Sequence, residues 1–271
     1  MSHTRVRKDS TLGSYLLPGL DYRSSKAVRA RDQVFLTGAT GLTIDGQQLI
    51  GEGDPASQAE NAMEVVKVLI EEAGATLQDI CKITVYVTKA EYFRLVYPVI
   101  ERYLGMVNPV STGLVITELA RPEIDFEIDI FAVIPENAEA KKTVLIPNCT
   151  QDSVTGKYSL SSAAIVRSNS LIFLSGQTGY NLSGVFVGEN NPAAQADNAM
   201  KCVRHLLEEV GGQMDDICKV ITYIRDVSFR EATYRVLAEH MRGVKPVSTG
   251  LVVEGFDNEK IDFSIDVLAA I

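Results

Sequence analysis

In the stretch IDFEIDI, the carboxylates Asp125, Glu127 and Asp129 alternate with Ile124, Phe126 and Ile128. Alternate side chains of a strand share a face and stand roughly 7 Å apart. In a cleft of low dielectric, carboxylates at that spacing raise one another's pKa, which makes one of them usable as a general acid or base near neutral pH. The plain alternative is a solvated outer face, and the strand taken alone favours it. Just upstream, PVSTGLV places hydroxyls at Ser111 and Thr112 behind a proline. Hydroxyls and N–H groups at such a corner can line a pocket and hold a substrate oxygen, or spend themselves on the local backbone. Gly38, which closes the apolar run VFLTG, permits close approach of a ligand or merely eases a bend. Tyr97 falls on an amphipathic stretch, where an aromatic faces a cleft or, more often, the core.

The same corner is written twice. PVSTGLV returns at 246–252, bringing Ser248 and Thr249, and is followed by IDFSIDV, in which Ser264 stands where the first copy has Glu127. Gly176 and Tyr234 repeat Gly38 and Tyr97. From Pro55 onward the halves register at an offset of 137, and upstream VFLTGATG matches IFLSGQTG at 138, so one residue is lost in the loop between. A repeat of this length means two small domains, not one large fold. The boundary falls near VIPENAEAKK, giving a first domain over 1–137 and a second over 138–271. Each copy reads as ββαβαββ, an α+β domain with two helices on one sheet face. The long helix opens at Asp54-Pro55 and Asn191-Pro192, a side-chain cap followed by proline at the first helical position. The other sheet face is expected to be apolar and to meet the second copy or another chain.

Composition excludes several functions. Lys and Arg number 26 against 35 Asp and Glu, a net charge of -9 without a basic track, so no nucleic-acid partner is expected. No apolar run approaches the roughly 20 residues that span a bilayer, and no signal-peptide core opens the chain, so the expectation is a cytoplasmic protein without a membrane partner. Four cysteines (Cys81, Cys149, Cys202, Cys218) form no CxxC pair and only three histidines accompany them, so no metal site is expected. Cys81 and Cys218 read as buried thiols in apolar strands. His205 and His240 lie in one copy only, which argues against a Ser-His-Asp triad, and the TGATG and SGQTG glycines lack phosphate-loop spacing.

Taken in order, the FLTG and FLSG glycines, the QAxNAM opening of the long helix, VYVTKAEYF before the second helix, and the corner leading to an E-I-D strand resemble the Rid family. These are the reactive-intermediate deaminases, also called YjgF-like or L-PSP-like. The resemblance spans residues 24–134 and 162–271. It implies two tandem chorismate-mutase-like domains, associated into trimers with sites in the clefts between neighbours. It also implies hydrolysis of enamines and imines, with an arginine clamping the substrate carboxylate and a glutamate handling the attacking water. Glu127 matches the glutamate. The arginine's place is taken by Ser111 and Ser248, and a hydroxyl is a poor substitute for a forked, permanently charged guanidinium. A tyrosine expected before the first strand is replaced by Ser24 and Ser162, with Tyr22 and Tyr158 nearby. Tyr97 and Tyr234 stand where an asparagine is frequent.

Together these readings imply a divergent hydrolase, deaminase or tautomerase acting on an imine, enamine or related C–N compound other than a simple amino-acid imine. Glu127 is its catalytic group, with Gly38, Tyr97, Ser111, Thr112, Gly176, Tyr234, Ser248 and Thr249 around the substrate, and no cofactor or metal. Arg121 is a possible replacement cation. The partners are then a small-molecule substrate and further copies of the chain, most simply a homotrimer of two-domain chains. The alternative is a non-catalytic ligand-binding or assembly protein that keeps the clefts.

Overall fold

The computed structural model describes residues 3–7, 10–11, 23–146 and 163–271. Tyr22, Cys149, Tyr158 and Ser162 lie outside the described residues. The first sheet contains β1 (Thr4–Val6), β4 (Ala27–Ala30), β5 (Gln33–Leu36), β6 (Ala39–Thr40), β7 (Ile80–Val87), β8 (Val110–Val115) and β9 (Phe126–Val133). Its order is β1-β4-β5-β9-β7-β8, with β6 also on β9, and a short β2–β3 ribbon (Ser10–Thr11, Arg23–Ser24) stands apart. The second sheet repeats the plan as β10-β11-β12-β15-β13-β14, using Lys141–Leu145, Ala163–Ser168, Leu171–Leu174, Phe263–Ala270, Ile217–Ile224 and Val247–Val252 in that spatial order. The leading strands β1 and β10 extend the repeat beyond the ββαβαββ pattern, because too few apolar residues alternate there to mark them.

Helices α1 (Pro55–Glu72) and α2 (Phe93–Leu104) cover one face of the first sheet, and α3 (Pro192–Glu209) and α4 (Arg230–His240) cover one face of the second. Among the described residues only β7–β8 and β13–β14 pair in parallel, which requires the crossover helix between them. Asp54 caps α1 by accepting from the N–H groups of Ala56 and Ser57, and Gly74, at φ +75°, ends it. Met63, Val66 and Ile70 of α1 pack on Ile83, Val85, Phe126 and Ile128 of the strands.

The two sheets meet through their other faces. Cys81, Val110 and Val133 of the first copy form one cluster with Val166 and Phe173 of the second. This face is not simply apolar, as the sequence suggested. Lys82 Nζ lies 2.9 Å from Asp266 Oδ2 and donates to Thr112 Oγ1, while Thr112 Oγ1 donates to Asp266 Oδ1 at 2.6 Å. Asp266 and Asp262 are not solvated but 5% and 3% exposed, Asp262 being paired with Arg225 at 2.6 Å. A neighbouring copy brings the cation that lets Asp266 be buried, and a single strand cannot announce that.

The repeated corner shows what a neighbour does. Val110, Leu114 and Val115 are 0%, 1% and 7% exposed because the second copy covers them. Their equivalents Val247, Leu251 and Val252 are 66%, 46% and 51% exposed. Cys218 is exposed for the same reason, although it was expected to be buried like Cys81.

Candidate functional site

Each copy builds a cavity from equivalent residues, and the two cavities have diverged. In the first, Gly38, Thr40, Thr43 and Ile44, from the loop after β5, face Ile124 and Glu127 at the head of β9. Two amides, Gln58 buried and Asn61 half-buried, set this geometry. Gln58 Oε1 accepts from the N–H groups of Asp125 and Phe126, while its Nε2 donates to Gly51 O and Glu123 O. Asn61 Nδ2 donates to Thr40 O and Leu42 O. The QAxNA motif therefore clamps both walls to α1, a role that the sequence reading of the motif missed. Its signal was there: two amides on a helix face otherwise apolar need buried partners.

Glu127 stands half-buried in a cavity of about 180 Å³ and makes no side-chain hydrogen bond or ion pair among the described residues. Desolvation, then the charge of Asp129, pushes its pKa up to about 7. Gly38 makes room for it, since a Cβ built there would overlap Glu127 Oε1. Gly38→Ala is therefore expected to displace the carboxylate and cut any Glu127-dependent turnover at least about tenfold without unfolding the chain, measured as rate and melting temperature together. Asp129 is hydrogen-bonded by Tyr86 Oη at 3.2 Å, and Asp125 by Thr88 Oγ1.

The second cavity lies between the copies. Gly176, Gln177, Asp257, Ile261 and Ser264 face Tyr97, Ser111, Thr112 and Gly113 of the first copy across about 90 Å³. Ser111 and Thr112 thus do not meet Glu127; they meet Ser264. Ser111 Oγ and Tyr97 Oη bond each other at 2.8 Å. Thr112 donates to Asp266 and accepts from Lys82 Nζ and from the N–H of Gly176, which uses its hydrogen and both lone pairs. It holds the two copies together and has nothing left for a ligand. Ser248 and Thr249 lie on the exposed strand β14, and Tyr234 Oη is bonded to Thr222 Oγ1 at 2.9 Å.

Among the described residues no group of three or more His, Cys, Asp or Glu could hold a metal ion, and no helix is long and apolar enough to cross a membrane. His240 Nε2 bonds Asp197, and His205 lies beside Glu209.

Two YjgF-like α+β domains in one chain, each with a cavity beside the loop after Gly38 or Gly176 and the closing strand, define the class of this protein. The chain belongs to the Endoribonuclease L-PSP family, whose model matches residues 20–134 and again 151–271. A RutC family protein of Pyrococcus abyssi is 27% identical over 97 residues, covering 36% of this chain and 76% of the relative. A 2-iminobutanoate/2-iminopropanoate deaminase of Dermatophagoides farinae is 24% identical over 104 residues, covering 37% of this chain and 80% of its own. A solved chorismatase structure, 14% identical, covers 90% of this chain and 76% of itself at a TM-score of 0.63, so the pairing of both domains is shared as a fold.

Proposed function

We propose that this chain is a hydrolase of imines or enamines that works through Glu127 in the first-domain cavity, the second-domain cavity having lost the chemistry. The observation that carries this reading is an unpartnered carboxylate with a pKa of about 7 in a small cavity. Such a group is ionised often enough to accept a proton and protonated often enough to return one. Membership of the family supports the reaction class, and so does the name of the mite relative.

In the proposed sequence, water attacks the imine carbon as Glu127 accepts one of its protons, and the C=N electron pair moves to nitrogen. Glu127 returns that proton to nitrogen, giving the hemiaminal. The hemiaminal hydroxyl proton then passes to nitrogen as the C–N bond breaks, leaving a carbonyl and ammonia. Ammonia release from freshly generated imines tests the reading. It is expected with the native chain and lost in Glu127→Gln; release that survives Glu127→Gln unchanged rules out this role.

The same reading includes a homo-oligomer, a trimer of two-domain chains. The exposed β14 corner, with Ser248 and Thr249, is suited to close the Glu127 cavity of a neighbour as Ser111 and Thr112 close the second cavity within the chain. Charges match too: Lys219 and Asp129 repeat Lys82 and Asp266, and both are exposed. Head-to-tail contact through one free corner and one free acceptor face closes as a ring. Lys219→Glu is expected to shift the mass in light scattering toward the single chain, and adding Asp129→Lys to restore it. A single-chain mass for the native protein overturns the assembly.

A further inference from the structure

We propose that Thr222 is a positioning residue: by holding Tyr234 it keeps the Ser248 hydroxyl of the second corner free to hydrogen-bond the substrate, whereas the first corner keeps its own serine occupied. The inference rests on reading the Glu127 cavity as the reacting site, closed by the β14 corner of a neighbouring copy, and it names the residue that makes that corner able to bind.

The two corners have the same sequence from Pro109 and Pro246 onward, yet their serines differ in what they meet. In the first, Ser111 Oγ and Tyr97 Oη bond each other at 2.8 Å. In the second, Tyr234 Oη is bonded to Thr222 Oγ1 at 2.9 Å, and the Ser248 side chain makes no hydrogen bond among the described residues. Two substitutions outside the corner account for this. At the offset of the repeat, Thr222 replaces Val85 and Arg230 replaces Phe93. Val85 is buried and has no hydrogen-bonding side chain, and the Phe93 ring packs edge-on against Tyr97 with 5.9 Å between centroids. Phe93 also lies over Gly113, where a Cβ would meet its ring at 3.0 Å and Tyr97 Oη at 3.3 Å. Tyr97 is thereby held off the strand, and its hydroxyl meets Ser111. Arg230 is exposed and leaves the equivalent glycine uncovered, so Tyr234 leans in: a Cβ at Gly250 would overlap its hydroxyl.

Counting hydrogens fixes the direction of the second bond. Thr222 Oγ1 donates its one hydrogen to Thr249 O at 3.3 Å, so Tyr234 is the donor to Thr222. The phenol hydrogen is therefore engaged on a buried partner, Thr222 being 1% exposed. Ser248 keeps its hydrogen and both lone pairs at an exposed position. Such a group serves a carbonyl oxygen as donor and an N–H as acceptor, with no need of charge on the ligand. The arrangement also follows the chemistry of the cavities: the occupied corner faces Ser264, and the free corner is the one left to meet Glu127.

The test titrates pyruvamide, an uncharged carbonyl compound, into the full chain by NMR, native and as Ser248→Ala, Thr222→Val, Thr222→Ser and the double variant Thr222→Val with Tyr234→Phe. Ser248→Ala is expected to weaken binding roughly threefold to tenfold, the ratio one neutral hydrogen bond supports. Thr222→Val, nearly the same shape without the hydroxyl, should weaken it as much, because Tyr234 then takes Ser248 as Tyr97 takes Ser111. Thr222→Ser should bind like the native chain. The double variant should regain the native affinity, since a phenyl ring cannot hold the serine; a merely structural loss at Thr222 would not be repaired by removing a second hydroxyl. Affinity unchanged in Ser248→Ala or in Thr222→Val overturns the inference, as does a loss in Thr222→Val that the double variant does not regain, or a native chain that does not bind pyruvamide. Because binding is read without turnover, the two ideas fail separately: Glu127→Gln that still releases ammonia sinks the catalytic reading, while pyruvamide affinity indifferent to Thr222 sinks this one.

Discussion

Glu127→Gln is expected to lower turnover by about 10²- to 10⁴-fold while making the protein more stable above neutral pH. The rate loss follows from removing the carboxylate that the cavity holds at the head of β9. The stability gain follows from linkage. An acid whose pKa rises from 4.5 unfolded to about 7 folded binds its proton more tightly in the native state. Below pH 4.5 both states are protonated and the group costs nothing. As pH climbs from 4.5 through about 7, the unfolded chain gives up the proton first and stability is lost, reaching about 3 kcal/mol once both states are ionised. Glutamine has no proton to lose. Denaturation of native and mutant protein should therefore coincide near pH 4 and separate by up to about 3 kcal/mol at pH 8. The native kcat/KM should rise with pH, reach half its limiting value near pH 7 and level off about one unit higher, the form of a base that must be ionised. Coincident stabilities at both pH values would mean that the carboxylate is solvated and the cavity is not a site.

The second large effect is structural. Lys82→Ala is expected to destabilise the chain by about 3–5 kcal/mol, because it leaves Asp266, 5% exposed, as a buried charge without its cation. It also removes a donor to Thr112, whose other bonds tie Asp266 and the Gly176 backbone across the domain boundary. The loss should fall on the contact between copies, so denaturant unfolding should broaden or split into two transitions. Lys82→Met combined with Asp266→Leu should recover most of the loss, since apolar side chains of similar size replace a buried pair at little cost. If Lys82→Ala alone leaves the midpoint unchanged, the pair does not hold the copies together. The equivalent exposed pair, Lys219 and Asp129, should contribute nothing to single-chain stability and act only in assembly.

Much of the molecule was legible before any coordinates. Apolar periodicity, the Asp54-Pro55 and Asn191-Pro192 caps and the stop at Gly74 mark the helices because each is a local event within a few residues of chain. Repetition at a constant offset announced two α+β domains, and alternation in IDFEIDI put Glu127 on the face away from the helices. The strand pattern could not tell which carboxylates would be buried. Asp129 and Asp266 are both flanked by β-branched apolar residues, yet one is exposed and the other buried, because only the second meets Lys82.

Tertiary structure alone decided how the repeated pieces combine. Sequence order suggests that Ser111 and Thr112 serve the glutamate a few residues downstream, but a corner strand at the edge of its sheet cannot fold back over its own closing strand. It covers the neighbour's, so the first corner meets Ser264 and the second faces outward. Lys26, far from Glu127 in the chain, lines the same cavity because β4 and β9 flank β5 in one sheet. Local sequence determines elements through short-range sterics and capping; which charges share a cavity depends on strand order and on which face each copy buries.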